Sequence, residues 1–162
     1  MEGRIKAGQG SLIGNSGEHY VVAELLKRGI VAALAPRNTP SVDILASKGT
    51  QMVRVRVKTK SEEYDDWQWV VKQDGTIFRD IGKTADFTIL VNLTEKTKNL
   101  QFYIVPTAQV DTWLREDHDR WVKTPGRGGR RHDSTNTKRH LNINKRGEDL
   151  KPFLDKWGIV WK

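Results

Sequence analysis

A chain of 162 residues with a formal charge of +8, no cysteine and no apolar run near the roughly 18 residues of a membrane span is already bounded in kind. The length suits one domain, 1–162, with its own core. The missing cysteines exclude a disulfide framework and a cysteine-based zinc site, and the polar stretch 1–10 does not read as a secretory leader. A cytoplasmic protein with a polyanionic partner and no membrane is the expectation.

The first element expected is a helix over 16–29, with Val21, Val22, Leu25 and Leu26 at helical spacing, Ser16 as N-cap and Gly29 as stop. Glu18 falls in the middle of that apolar stripe, whereas Glu24 falls on the far side. A carboxylate in a buried stripe needs a partner; at the first turn of a helix it can also stay wet and complement the dipole. Residues 31–35 read as the first strand, and Arg37-Asn38-Thr39-Pro40 as a loop. Ser41-Val42-Asp43-Ile44-Leu45-Ala46 and the run 50–60 then form a hairpin with Lys48-Gly49 in its turn. In the second strand Val53, Val55 and Val57 alternate with Arg54, Arg56 and Lys58, so one face is apolar and the other cationic. Antiparallel pairing brings Asp43 beside that cationic face, where an acid and a lysine on paired strands can form a reaction centre.

Residues 67–71 alternate like a strand and are followed by a turn at Asp74-Gly75. The continuous apolar run 87–93 predicts a central buried strand, and 102–105 its neighbour, ended by Pro106. Thr107 is expected to cap a helix carrying Val110, Trp113 and Leu114, and 148–157 to form a closing helix, with Pro152 near its middle. Between them, 120–147 holds nine Lys and Arg against one acid, Asp133, which accounts for the whole formal excess. About 122–140 is Gly-rich and polar, so a mobile basic loop is expected, with Arg127, Arg130, Arg131, Lys138 and Arg139 as phosphate contacts. His132 and His140 read as loop residues, not zinc ligands. Of six tryptophans, Trp113, Trp157 and Trp161 suit the core, while Trp67, Trp69 and Trp121 suit either packing or stacking on an unpaired base.

A helix bearing Glu18, a loop, Asp43 opening a strand and a strand ending in Arg56-Val57-Lys58 resemble the PD-(D/E)xK nuclease superfamily, in particular its small resolvase-like and endonuclease-like members. The resemblance covers about 14–106. It implies an α/β, three-layer restriction-endonuclease-like fold with a central mixed β-sheet flanked by helices. It further implies Asp43 as metal ligand, Lys58 as motif lysine and Glu18 as accessory helical acid. Arg56 departs from the pattern, which has Glu, Asp or often Gln there, and a guanidinium cannot ligate a cation. With Arg56 in place, Asp43, the Val57 carbonyl and Glu18 remain as oxygen ligands for Mg2+ or Mn2+. Three resolutions are open. An acid from Glu62, Glu63, Asp65 or Asp66 can migrate in, Arg56 can lean away, or the site keeps Arg54, Arg56, Lys58 and Lys60 only as phosphate contacts.

Three functions follow: a metal-dependent DNA endonuclease, a nuclease-fold protein that binds DNA without cutting, or a basic assembly protein with an acidic partner. The last includes a homodimer through an exposed edge near Trp67 and Trp69. The DNA form, whether duplex, branched or single-stranded, is left open by the residues.

Overall fold

The computed structural model describes residues 9–93 and 100–161, and the polar stretch 1–10 lies almost wholly outside them. Helix α1 (Gln9–Lys27) is followed by strands β1 (Val31–Leu34), β2 (Ile44–Lys48), β3 (Gln51–Ser61), β4 (Asp66–Val70), β5 (Asp86–Leu93) and β6 (Gln101–Pro106). Helix α2 (Thr107–Lys123), strand β7 (Lys138–Asn142), the short α3 (Gly147–Leu150) and 3₁₀ turns at Lys151–Phe153 and Trp157–Trp161 complete the chain. The main sheet has the order β1-β2-β3-β5-β6, with β3 and β5 parallel and the other pairs antiparallel. Strands β4 and β7 pair into a second, two-stranded sheet.

Three layers result. On one face of the main sheet Val21 and Leu25 of α1, with Trp157 and Val160, pack on Ile44, Val53, Val55, Ile89, Val91 and Ile104. On the other, Val110, Trp113 and Leu114 of α2, Trp67 and Leu141 of the small sheet and Leu150 of α3 cover Leu90, Tyr103 and Val105. Strand β5 is covered on both faces, which is why its sequence is apolar without alternation.

Several elements differ from expectation at their ends. Helix α1 starts before Ser16, whose hydroxyl donates to the Ile13 carbonyl at 2.7 Å inside the helix instead of capping it. Leu26, expected in the buried stripe, is exposed, while Gly29 ends the helix region at φ +74° as anticipated. In the β2–β3 hairpin Lys48 pairs with Gln51, so the turn is Gly49-Thr50, one residue later than expected, with Gly49 at φ +60°. Thr107 is the first residue of α2 and makes no cap; its hydroxyl donates to Asp86 Oδ1 at 2.7 Å. The closing helix is reduced to one turn plus 3₁₀ segments, because Pro152 has no N–H to continue it.

The basic stretch contains several local hydrogen-bonded turns and one strand. Asp133 and Asn136 accept from the amides of Thr135 and Lys138, Gly126 donates to Arg130, and Lys138 onward is strand β7. Within it Arg146 turns inward onto Asp117, Glu116 and Asp149, with Trp113 beneath its guanidinium.

Helix α1 approaches β3 closely at Gly17, where an added Cβ would stand 1.8 Å from Thr59 Oγ1. Gly17→Ala is therefore expected to destabilise the fold by about 1–3 kcal/mol, read as a loss in denaturant midpoint. Among the described residues Thr59 Oγ1 has no hydrogen-bond partner, so adding Thr59→Ala should recover part of the loss. Additive losses in the double variant would place the strain elsewhere.

Candidate active site

Strand β2 begins at Ile44, opposite Val55, and Asp43 stands one residue before it. The Asp43 amide donates to the Val55 carbonyl at 3.0 Å, and its Oδ2 accepts the Val57 amide at 2.8 Å. A strand residue presents its N–H and C=O to the same side, so the Val57 carbonyl faces the Asp43 side, beyond the last β2–β3 pair. Glu18, next to the Gly17 contact, comes down from α1 near enough for its charge to act on that of Asp43.

The charges of this region are held away from their ordinary values. Burial raises the Asp43 carboxyl, outweighing the Val57 amide and the nearby charges of Arg56 and Lys58. Glu18 is raised as well, first by burial and then by the negative charge of Asp43. Burial pushes the Lys58 ammonium down, with Asp43 opposing the shift. Its Nζ lies 5.5 Å from the Trp69 ring and makes no ion pair among the described residues.

Arg56 donates to Asp86 and not to Asp43, although its charge acts on both. Its guanidinium grips Asp86 at two points, Nε to Oδ1 and Nη2 to Oδ2, both 3.0 Å, donates to the Arg79 carbonyl at 3.1 Å and lies over Phe78. Asp86 also accepts from Arg54 at 3.1 Å, the Gly82 amide at 2.9 Å and Thr107. Burial alone would raise the Asp86 carboxyl, but these donors together hold it below the usual carboxylate range. Sequence reasoning missed Asp86. The signal was an acid directly before the apolar run 87–93, but its partners lie across a parallel strand pair, whose register the sequence does not print.

The expected phosphate contacts divide. Arg56 and Lys60 are each 6 % exposed, which differs from the expectation: Arg56 is held by Asp86, and Lys60 donates to the Tyr64 carbonyl beside Trp67. Arg54 is half-exposed but paired with Asp86. Arg127, Arg130, Arg131 and Lys138 face solvent, and Arg139 is half-buried. Glu62, Asp65 and Asp66 act on Lys60, and Asp66 also pairs with His140 at 3.4 Å; they are not the acids beside Asp43. Strand β4 pairs with β7 along one edge; Trp67 is buried, its indole N–H donating to the Val91 carbonyl at 3.0 Å, while Trp69 is half-buried. Trp113 and Trp157 are buried on opposite faces of the main sheet, and Trp161 packs in the cluster of Trp157.

This layering and strand order are those of a restriction-endonuclease-like fold. The structure is similar to that of the bacterial homing endonuclease I-Ssp6803I, with a TM-score of 0.52 and 17 % identity, covering 93 % of this chain and 89 % of that one. Hjc, a Holliday junction resolvase from the archaeal hyperthermophile Archaeoglobus fulgidus, matches with a TM-score of 0.47 and 14 % identity over 91 % of this chain and 93 % of its own. No family model and no curated protein matches the chain. No helix among the described residues is long and apolar enough to cross a membrane.

The raised Asp43 carboxyl has a thermodynamic consequence. Above its folded ionisation range the native state holds a poorly solvated charge, which lowers stability; as pH falls toward about 4 that cost disappears. Asp43→Asn keeps an oxygen for the Val57 amide and removes the charge. Its Tm should exceed that of wild type at pH 7, and the difference should shrink on acidification. A variant that is less stable at pH 7 would mean the carboxylate is favoured where it stands.

Proposed function

We propose that the chain is a metal-dependent DNA endonuclease that hydrolyses phosphodiester bonds, with Asp43, Glu18 and Lys58 at the reaction centre. The observation that carries the reading is the two-point pairing of Arg56 with Asp86, which commits the one unsuitable side chain of the motif to another carboxylate, so that its charge reaches Asp43 but its donors do not. The donor set left behind fits a hard divalent cation, Mg2+ or Mn2+. Asp43 and Glu18 are two carboxylates whose charges burial and mutual repulsion disfavour, and the Val57 carbonyl faces the same side. Such ions bind through one or two carboxylates, with water and phosphate oxygens completing the shell. The bound ion supplies Lewis acidity and a more acidic water.

The chain's own residues supply the rest. Lys58 offers an ammonium to the charge that develops on the phosphate, and its depressed proton affinity eases transfer to or from a neighbouring oxygen. Arg127, Arg130, Arg131 and Lys138 provide exposed cations for the backbone of the nucleic acid. A second reading, DNA binding without cleavage, is favoured by one observation: no group of three His, Cys, Asp or Glu that could hold a metal occurs among the described residues.

The test is calorimetry with Mg2+ and Mn2+ on wild type and Asp43→Ala, beside cleavage of plasmid and branched DNA. Wild type should bind an ion and cut, and Asp43→Ala should do neither. Lys58→Ala should keep the ion and cut on the order of 100-fold more slowly. A wild type that takes up no ion, yet holds DNA with a steep salt dependence, would move the function to the second reading.

A further inference from the structure

A cavity of about 510 Å³ lies between the C-terminal half of α2, strand β7 and the loop that joins them. One wall is a stack of rings. The Trp121 indole lies on His132 with centroids 4.0 Å apart and planes 24° from parallel, and His118 follows one turn back on α2 at 5.6 Å. Gly126 leaves room for this arrangement, since a Cβ there would stand 2.9 Å from the His132 ring. Trp121 is nevertheless 37 % exposed, unlike the core tryptophans Trp67, Trp113 and Trp157.

The polar lining is cationic. Arg120, Lys138, Arg139 and Lys145 face two acids, Asp66 and Asp117, and both acids are already engaged. Asp117 accepts from Arg146 at 2.7 and 3.1 Å, and Asp66 from Asn142 at 2.7 Å. The ammonium groups of Lys138 and Lys145 have no partner among the described residues. A flat aromatic surface beside unpaired cations suits a ligand that is planar at one end and anionic at the other.

We propose that this cavity binds a single unstacked nucleotide, its base against the Trp121–His132 wall and its phosphate toward Lys138 and Lys145. The chemistry is shared by a free nucleotide and by an unpaired nucleotide in a strand; only the second source rests on the DNA reading above. Strand register favours it. Arg139 of the cavity pairs across β7–β4 with Trp69, and Trp69 lies against Lys58, so the cavity adjoins the Asp43–Lys58 region through one strand pair. A nucleic acid crossing that region can place one displaced nucleotide in the cavity.

The experiment titrates wild type, in EDTA to prevent cleavage, against a plain duplex, the same duplex with one unpaired 2-aminopurine, and dAMP. The duplex with the unpaired base is expected to bind about tenfold more tightly than the plain one, with quenching of 2-aminopurine fluorescence, as base–aromatic stacking predicts. Trp121→Ala should abolish the preference and leave plain-duplex affinity within about twofold. Lys145→Ala, at an exposed turn, should reduce the preference without touching α2, which guards against a misfolded Trp121 variant. Saturable dAMP binding lost in Trp121→Ala, with no preference between duplexes, assigns the cavity to free nucleotides. Equal affinity for both duplexes and no dAMP binding overturns the proposal and leaves the nuclease reading standing. Binding of dAMP without affinity for any DNA keeps the site and overturns the nuclease reading.

Discussion

The carboxylate of Asp86 is the constraint on which most of the structure depends. It sits with its side chain fully buried at the start of β5 and accepts from two arginines of β3, from the Gly82 amide and from the first residue of α2. A buried charge of this kind is tolerable only when every partner is in place, and removal of one partner typically costs about 3–5 kcal/mol. One group thus joins the parallel β3–β5 pair, the segment before β5 and the origin of α2. Thr88 extends the link by meeting Thr107 at 2.9 Å. Because Arg56 is committed to this cluster, the region around Asp43 has carboxylates and Lys58 without a guanidinium bridging them.

That region contrasts with the cluster beside it. At Asp86 every charge is answered by hydrogen-bonded partners, and the carboxyl is driven below its usual range. At Asp43 and Glu18 both carboxyls are driven up, and Lys58 is driven down. Burial acts on both carboxyls, and the charge of Asp43 acts on Glu18 as well, just before the start of β2, where no arginine pair like that at Asp86 answers them. The close approach of α1 at Gly17 belongs to the same arrangement, since it sets how deep Glu18 can reach.

The third layer shows how one basic stretch serves two purposes. Arg146 turns inward, where Asp117, Glu116 and Asp149 answer its charge and Trp113 covers its plane. Arg127, Arg130 and Arg131 turn outward from a segment held by short-range turns. Asp133 and Asn136 supply local turn partners there, accepting from the amides of Thr135 and Lys138. Trp121 and His132 sit where the two parts meet.

The sequence alone determined what depends on neighbours a few residues apart. The alternation of Val53, Val55 and Val57 with Arg54, Arg56 and Lys58, the apolar run of β5, the Gly49 turn and the Gly29 stop each specify a local geometry, and these made the elements that carry Glu18, Asp43 and Lys58 legible; the three-layer fold was implied only by the family resemblance of that order of motifs. Helix ends were less so: Ser16 and Thr107 look like caps, but the Ser16 hydroxyl donates back to Ile13 within a helix that starts earlier, and the Thr107 hydroxyl found an acceptor, Asp86, that only packing supplies. Tertiary structure decided everything that depends on charge meeting charge across the sheet. Arg56 and Lys60 read as surface cations because strand alternation says which face a side chain takes, not what will cover that face. The cover comes from β4 and the segments on either side of it, which brought Trp67, the Tyr64 carbonyl and Phe78 over two residues that period alone leaves in water. Asp86 became the partner of Arg56 through the parallel register of two strands 30 residues apart in the chain, a pairing set by the whole fold and by no local pattern.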